Sequence, residues 1–329
     1  MRNTMFAVLL LFAALAFSAC SHDELVRMTV KAPNQGVKID PALDPGGPGL
    51  KSLGVNQQFR VPAGPPAASL AIWVIEPRNL SVPRGTILVL HGFLADRGLM
   101  LGDARCLSDA GYRTVLVDLR GQGRSTGDYM TFGVVEARDV VQIIDELQRR
   151  KLIAGNVGIY GMSYGAATAI EAAGIDPRIK AVVALAPFAT MRQEVPHFGR
   201  QMLPALTWYL SDRDFVTVVN DAGKLANFDP DDASPLAAIQ RTHAPVLLAH
   251  GTLDLIIPVE QSKELHAAAA DHSELLLVPG AGHLTLWIDA DGSTKKKACE
   301  WFDRYLNPVT PHASGPVNTN PLLSDAKPS

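Results

Sequence analysis

Short runs of Val, Ile, Leu and other strand formers alternate with longer stretches whose apolar residues recur every three or four positions, from about residue 56 to residue 306. The runs predict strands at residues 56–61, 70–76, 86–90, 113–118, 157–160, 181–185, 246–250 and 274–278. The longer stretches predict helices at 97–110, 133–150, 164–174, 259–270 and 293–306. Within 133–150, Val140, Ile143, Ile144 and Leu147 share one face, the face expected to pack on a sheet. Strands and helices in this order predict an α/β domain built on a mostly parallel eight-stranded sheet, with helices on both faces.

Residues 188–239 break the rhythm. Pro196, Phe198, Met202, Leu203, Leu206, Trp208, Tyr209 and Leu210 cluster there at helix-like spacing, which predicts a small helical cap able to cover an acyl-binding pocket. A helical excursion packed on its own core is the alternative. Residues 21–52, rich in Pro, Gly and Asp, read as a linker, and 307–329 read as a disordered tail, leaving 53–306 as the folded domain.

Residues 1–20 differ from the rest. Arg2 precedes an apolar run over 5–17, shorter than the ~20 residues a membrane-spanning helix needs, and small residues follow it. This is the pattern of a signal peptide. Phe17-Ser18-Ala19-Cys20 resembles the lipobox of bacterial lipoproteins, which implies lipidation of Cys20 and a membrane anchor in the cell envelope. In a Gram-negative host Ser21 implies the periplasmic face of the outer membrane. Phe17 stands where the lipobox usually has Leu, and plain secretory cleavage is the alternative.

Composition then narrows the function. A net charge of -3 with 19% charged residues, and no polybasic block, excludes a nucleic-acid partner. No His-Glu-x-x-His, Cys pair or acidic Ca²⁺ loop is present, so no metal and no cofactor are expected. Besides Cys20 the chain has Cys106 and Cys299, which an oxidising compartment could join or leave as buried thiols.

The chemistry-bearing segment is Gly161-Met162-Ser163-Tyr164-Gly165, placed between a predicted strand and an Ala-rich helix. A sharp strand-to-helix turn projects the serine hydroxyl, and glycines on either side leave room for neighbouring elements. In that context Ser163 is the expected nucleophile. The segment resembles the nucleophile elbow of the α/β-hydrolases, whose triad runs in the order Ser, acid, His. Matching positions follow downstream: Asp254 after the strand 246–250, and His283 in Pro279-Gly280-Ala281-Gly282-His283 after the strand 274–278. A serine needs a base to take its proton and the base needs an acid to orient it, so His283 and Asp254 are assigned those roles. Asp289 and Asp291 fall after the histidine and are expected to cap the last helix. The resemblance further implies that the backbone N–H groups of Phe93, in His91-Gly92-Phe93, and of Tyr164 form the oxyanion hole. His91 and His250 are expected to be structural hydrogen-bonders. Residues 118–125 resemble a turn common in this fold, in which Asp118 and Arg120 are expected to pair as scaffold.

Within the fold the chain looks most like the bacterial serine aminopeptidase S33-like and BEM46-like hydrolases. That implies hydrolysis of a carboxylic ester or thioester of a small or single-chain acyl substrate through an acyl-enzyme. A small-peptide aminopeptidase is the second possibility, with Glu194 or Asp212 as an acidic subsite for a free amine. A degenerate envelope-binding lipoprotein is the third.

Overall fold

The computed structural model describes residues 21–34 and 48–307. Cys20, the expected signal peptide and residues 308–329 of the expected tail lie outside the described residues.

Strands β1 (Gln57–Ala63) and β2 (Ala68–Ile75) pair antiparallel, and β2 pairs antiparallel with β4 (Arg113–Val117). From there β3 (Gly85–Leu90), β5 (Asn156–Met162), β6 (Ile179–Leu185), β7 (Val246–Gly251) and β8 (Ser273–Val278) continue in parallel, giving the order β1-β2-β4-β3-β5-β6-β7-β8. Each predicted strand is present. The central strands are buried on both faces, which is why they read as continuous apolar runs rather than alternating ones.

One face of the sheet is covered by α4 (Val134–Arg149), α5 (Tyr164–Ala173), α9 (Pro235–Ile239) and α10 (Val259–Ala268). Val140, Ile143, Ile144 and Leu147 of α4 point into this core, as their spacing predicts. The other face is covered by α3 (Leu101–Asp109) and α12 (Ser293–Leu306), whose Leu107, Trp301 and Phe302 join Leu50 of the short α2 (Pro48–Ser52).

Between β6 and β7 the chain leaves the sheet for the cap helices α6 (Met191–Met202), α7 (Pro204–Thr207) and α8 (Asp212–Ala226). Part of the expected linker is in fact ordered against this cap. Residues His22–Val30 form α1, capped by the Ser21 hydroxyl, which accepts from the Glu24 N–H. Its Leu25, Val26 and Val30 pack with Val218, Val219 and Ala222 of α8, and the Met130 N–H donates to the Val30 carbonyl at 2.8 Å. A nine-residue helix is marginal alone. Packing against α8 and its neighbours stabilises it, so local sequence gave no sign of it.

The expected Asp118–Arg120 pair is also corrected. Asp118 takes the backbone N–H and guanidinium of Arg97 and the N–H of Arg124, whereas Arg120 lays its guanidinium fork on Asp139 of α4 at 2.6 and 2.8 Å. The turn sends the two side chains in different directions, and each finds a buried partner distant in sequence.

Candidate active site

β3 and β5 are neighbours although β4 intervenes in sequence, so the connections from their carboxyl ends diverge and open a crevice there. The expected functional residues come off this edge: Phe93 after β3, Ser163 after β5, Asp254 after β7 and, after β8, His283 at the start of α11 (His283–Ile288).

Ser163 has φ 55° and ψ −117°, a left-handed-side conformation that costs an L-residue roughly 1–3 kcal/mol. The surroundings impose it. The Ser163 N–H donates to the Leu185 carbonyl at 2.7 Å, while its own carbonyl accepts from Ala166 and Ala167 in the first turn of α5. The flanking glycines are required by space. A Cβ on Gly161 would lie 2.4 Å from the Gly165 carbonyl oxygen, and one on Gly165 would lie 2.5 Å from that of His91. We expect Gly165→Ala to cost about 3 kcal/mol or more, because the obstructing atoms are backbone and cannot swing aside. Chemical denaturation of the variant checks this, and a loss below 1 kcal/mol would mean the elbow relaxes.

The expected acid and base are joined. His283 Nδ1 lies 2.7 Å from Asp254 Oδ2, and Asp254 Oδ1 accepts from the N–H groups of Ile256 and Ile257 at 2.9 Å each. Burial pushes the Asp254 carboxyl up, but the hydrogen bonds from His250, His283 and the Ile257 amide outweigh it and hold the group well below the usual carboxylate range. Ionised Asp254 therefore fixes the tautomer with the proton on Nδ1 and leaves Nε2 as the acceptor. Ser163 and His283 line the same cavity, and no direct hydrogen bond joins them.

The N–H groups of Phe93 and Tyr164 make no backbone hydrogen bond among the described residues, and both residues line the cavity beside Ser163. Gly92 brings the loop close: a Cβ there would sit 3.4 Å from the Ser163 Cβ. The Tyr164 hydroxyl donates to Glu136 at 2.9 Å and accepts from the Phe132 N–H at 2.8 Å, so its side chain is tied down on the far side.

The other expected residues fall into place as scaffold. His91 is fully buried and its Nε2 accepts from the Leu119 N–H at 3.0 Å; burial holds its imidazole below the ordinary range. His250 bonds Ser262 at 2.6 Å and the Ile257 carbonyl at 2.9 Å, and braces Asp254 at 3.4 Å. Asp289 accepts from the Thr294 and Lys295 N–H groups and Asp291 from that of Ser293, capping α12 as anticipated.

A cavity of about 660 Å³ lies between the elbow and the cap. Its wall is almost wholly apolar, with Phe132, Phe188, Phe198, Leu203, Phe215 and Trp287 prominent. Leu25, Met28 and Thr29 of α1 complete it, a contribution sequence reasoning missed along with the helix. Of the two acids proposed for an amine subsite, Asp212 is exposed and paired with Arg200, away from the cavity. Glu194 does line it, and its Oε2 accepts from the Gln261 amide at 2.9 Å. Burial pushes the Glu194 carboxyl up to about 8, Gln261 opposing and the Asp254 charge adding to the rise. A raised native-state value means a stability contribution present in full below the ordinary 4.5 and lost as pH rises through about 8. Glu194→Gln should therefore flatten the fall in Tm between pH 5 and 8, which melting curves across that range would register. An unchanged slope would place the titration elsewhere.

The model of the X-Pro dipeptidyl-peptidase (S15) family matches residues 91–217, less than half of the chain. The uncharacterized protein YqkD of Bacillus subtilis is 25% identical over 221 residues, 66% of this chain and 71% of its own. The Pyrococcus furiosus esterase Pf2001 superposes with a TM-score of 0.62 at 20% identity, covering 78% of this chain and 95% of that one. A Pyrococcus horikoshii acylaminoacyl peptidase gives 0.55 at 21%, covering 76% and 41%. The sheet, its strand order and these likenesses together show the α/β-hydrolase fold.

Proposed function

We propose that this chain is a serine hydrolase that cleaves a carboxylic ester or thioester of a single-chain acyl substrate through an acyl-enzyme. The observation that carries this is the convergence of strained Ser163, the His283–Asp254 pair and the residues Phe93 and Tyr164 on one apolar cavity. In this reading Ser163 Oγ attacks the carbonyl carbon as His283 Nε2 takes its proton. The oxyanion is held by the N–H groups of Phe93 and Tyr164, which act on charge present only in the transition state. Collapse expels the alcohol or thiol, protonated by His283, and water then repeats the sequence on the acyl-enzyme.

The cavity's size and lining support an aliphatic acyl group. Each buried methylene contributes about 0.8 kcal/mol, so kcat/KM should rise about fourfold per added carbon until the cavity is filled. A series of chromogenic esters of increasing chain length tests this; a profile highest at acetate and falling thereafter would refute it.

Two observations favour the second reading, a small-peptide aminopeptidase: the S15 family match and Glu194 in the cavity wall, whose carboxyl, held protonated by burial, an entering ammonium group would ionise. Under that reading Glu194→Gln would depress release of aminoacyl chromophores and leave simple acyl esters unaffected. The cellular setting we propose is the envelope, with export directed by residues 1–20 and a lipid anchor on Cys20. Mass analysis of the mature N-terminus distinguishes this from plain secretion.

A further inference from the structure

Cys106 on α3 and Cys299 on α12 sit side by side on the face of the sheet away from α4 and α5, with their Sγ atoms 3.9 Å apart. A disulfide needs about 2.05 Å between sulfurs, so closure calls for a small movement of the two side chains. Both thiols are half-buried, within reach of a small oxidant. The proposed hydrolytic chemistry makes no use of them.

We propose that Cys106 and Cys299 form an oxidisable dithiol, closed to a disulfide by exchange with a small-molecule or protein disulfide, that staples α12 to α3 beneath the helix bearing His283. The Cys106 thiolate attacks one sulfur of the oxidant, forming a mixed disulfide and releasing one oxidant thiol. The Cys299 sulfur, giving up its proton, then displaces the second oxidant thiol and completes the Cys106–Cys299 bond. Two electrons and two protons pass to the oxidant, which leaves as two thiols. Cys106 is suited to the first attack as the less buried of the pair, and its contact with Cys299 draws its thiol below the ordinary range.

The position gives the staple a consequence. One turn from Cys106, Asp103 accepts from Tyr160 of β5 at 2.9 Å and from Trp287 of α11 at 3.2 Å. One turn from Cys299, Lys295 reaches the Trp287 and Ile288 carbonyls at 3.3 Å. The bond would thus tie together the two helices that hold α11 in place, and it would close a loop spanning 193 positions of sequence. A cross-link over so long a loop typically raises Tm by about 5–10 °C in a domain of this size.

The test incubates the purified full chain with glutathione disulfide, then alkylates and maps peptides, which also separates any signal from Cys20. The expected result is a linked Cys106–Cys299 peptide and a Tm about 5–10 °C above that of the reduced protein, a difference absent in Cys299→Ser. Cys106→Ser is the second variant, so a folding defect in one does not decide the matter. Two alkylated thiols, or a glutathione adduct that Cys299 fails to displace, would overturn the dithiol. A linked pair with no change in Tm would overturn the staple. None of these outcomes depends on hydrolase activity.

Discussion

Replacing Ser163 with Ala is expected to remove covalent labelling by a fluorophosphonate probe and to lower kcat on the best ester by about 10⁴-fold or more. Labelling is the cleaner readout, because a phosphonate reacts only with a serine whose proton has somewhere to go. Under the proposed mechanism the proton goes to His283 Nε2, which the contact between Nδ1 and Asp254 leaves as the acceptor. The substitution deletes one oxygen in a conformation the backbone already enforces through the Leu185 carbonyl and the first turn of α5, so the fold should survive. Intact mass of wild type and variant after labelling provides the measurement. A wild type that stays unlabelled while folded, or a variant that still reacts, would count against Ser163 and shift weight to a binding role for the cavity.

Asp254→Asn is expected to cost about 10⁴-fold in kcat with little change in KM. The amide still accepts from the Ile256 and Ile257 N–H groups, so the loop keeps its shape. What disappears is a negative charge, kept ionised by His250, His283 and the Ile257 amide against its burial, that stabilises the imidazolium as it forms. Two other carboxyl groups make poor substitutes: Asp289 is committed to the first turn of α12, and Glu194, pushed up to about 8 by burial, is bound to Gln261. Steady-state kinetics of the variant against pH is the measurement. A loss smaller than about tenfold would mean that another acid orients the histidine.

Most of the candidate site's placement was legible in the chain because it resides in local signals. A Gly-x-Ser-x-Gly segment between an apolar run and an Ala-rich stretch specifies an elbow, since Gly161 and Gly165 occupy positions where a Cβ would strike backbone. An Asp and a His, each just past an apolar run, are carried to the same sheet edge once the strands are parallel. The eight strands, the five helices predicted outside the cap, the capping roles of Asp289 and Asp291 and the scaffold roles of His91 and His250 follow from comparable short-range patterns.

Tertiary structure decided whatever depends on which distant groups come to face each other. The sequence suggested that Asp118 would pair with Arg120, and it could not show that Arg97 would reach the first and Asp139 the second. It presented residues 22–30 as linker because a short helix has no stability of its own, and the apolar stripe of α8 that secures it lies some 190 residues away. The same separation hid the share α1 takes in the cavity wall. Both Glu194 and Asp212 were candidate amine-binding acids by composition, but only burial against Gln261 singled out the first, and only exposure beside Arg200 removed the second. Local sequence determined the backbone and the nucleophile's turn, because those energies act over a few residues; the cavity, the ion pairs and the state of each carboxyl waited on packing, which sums contributions from the whole chain.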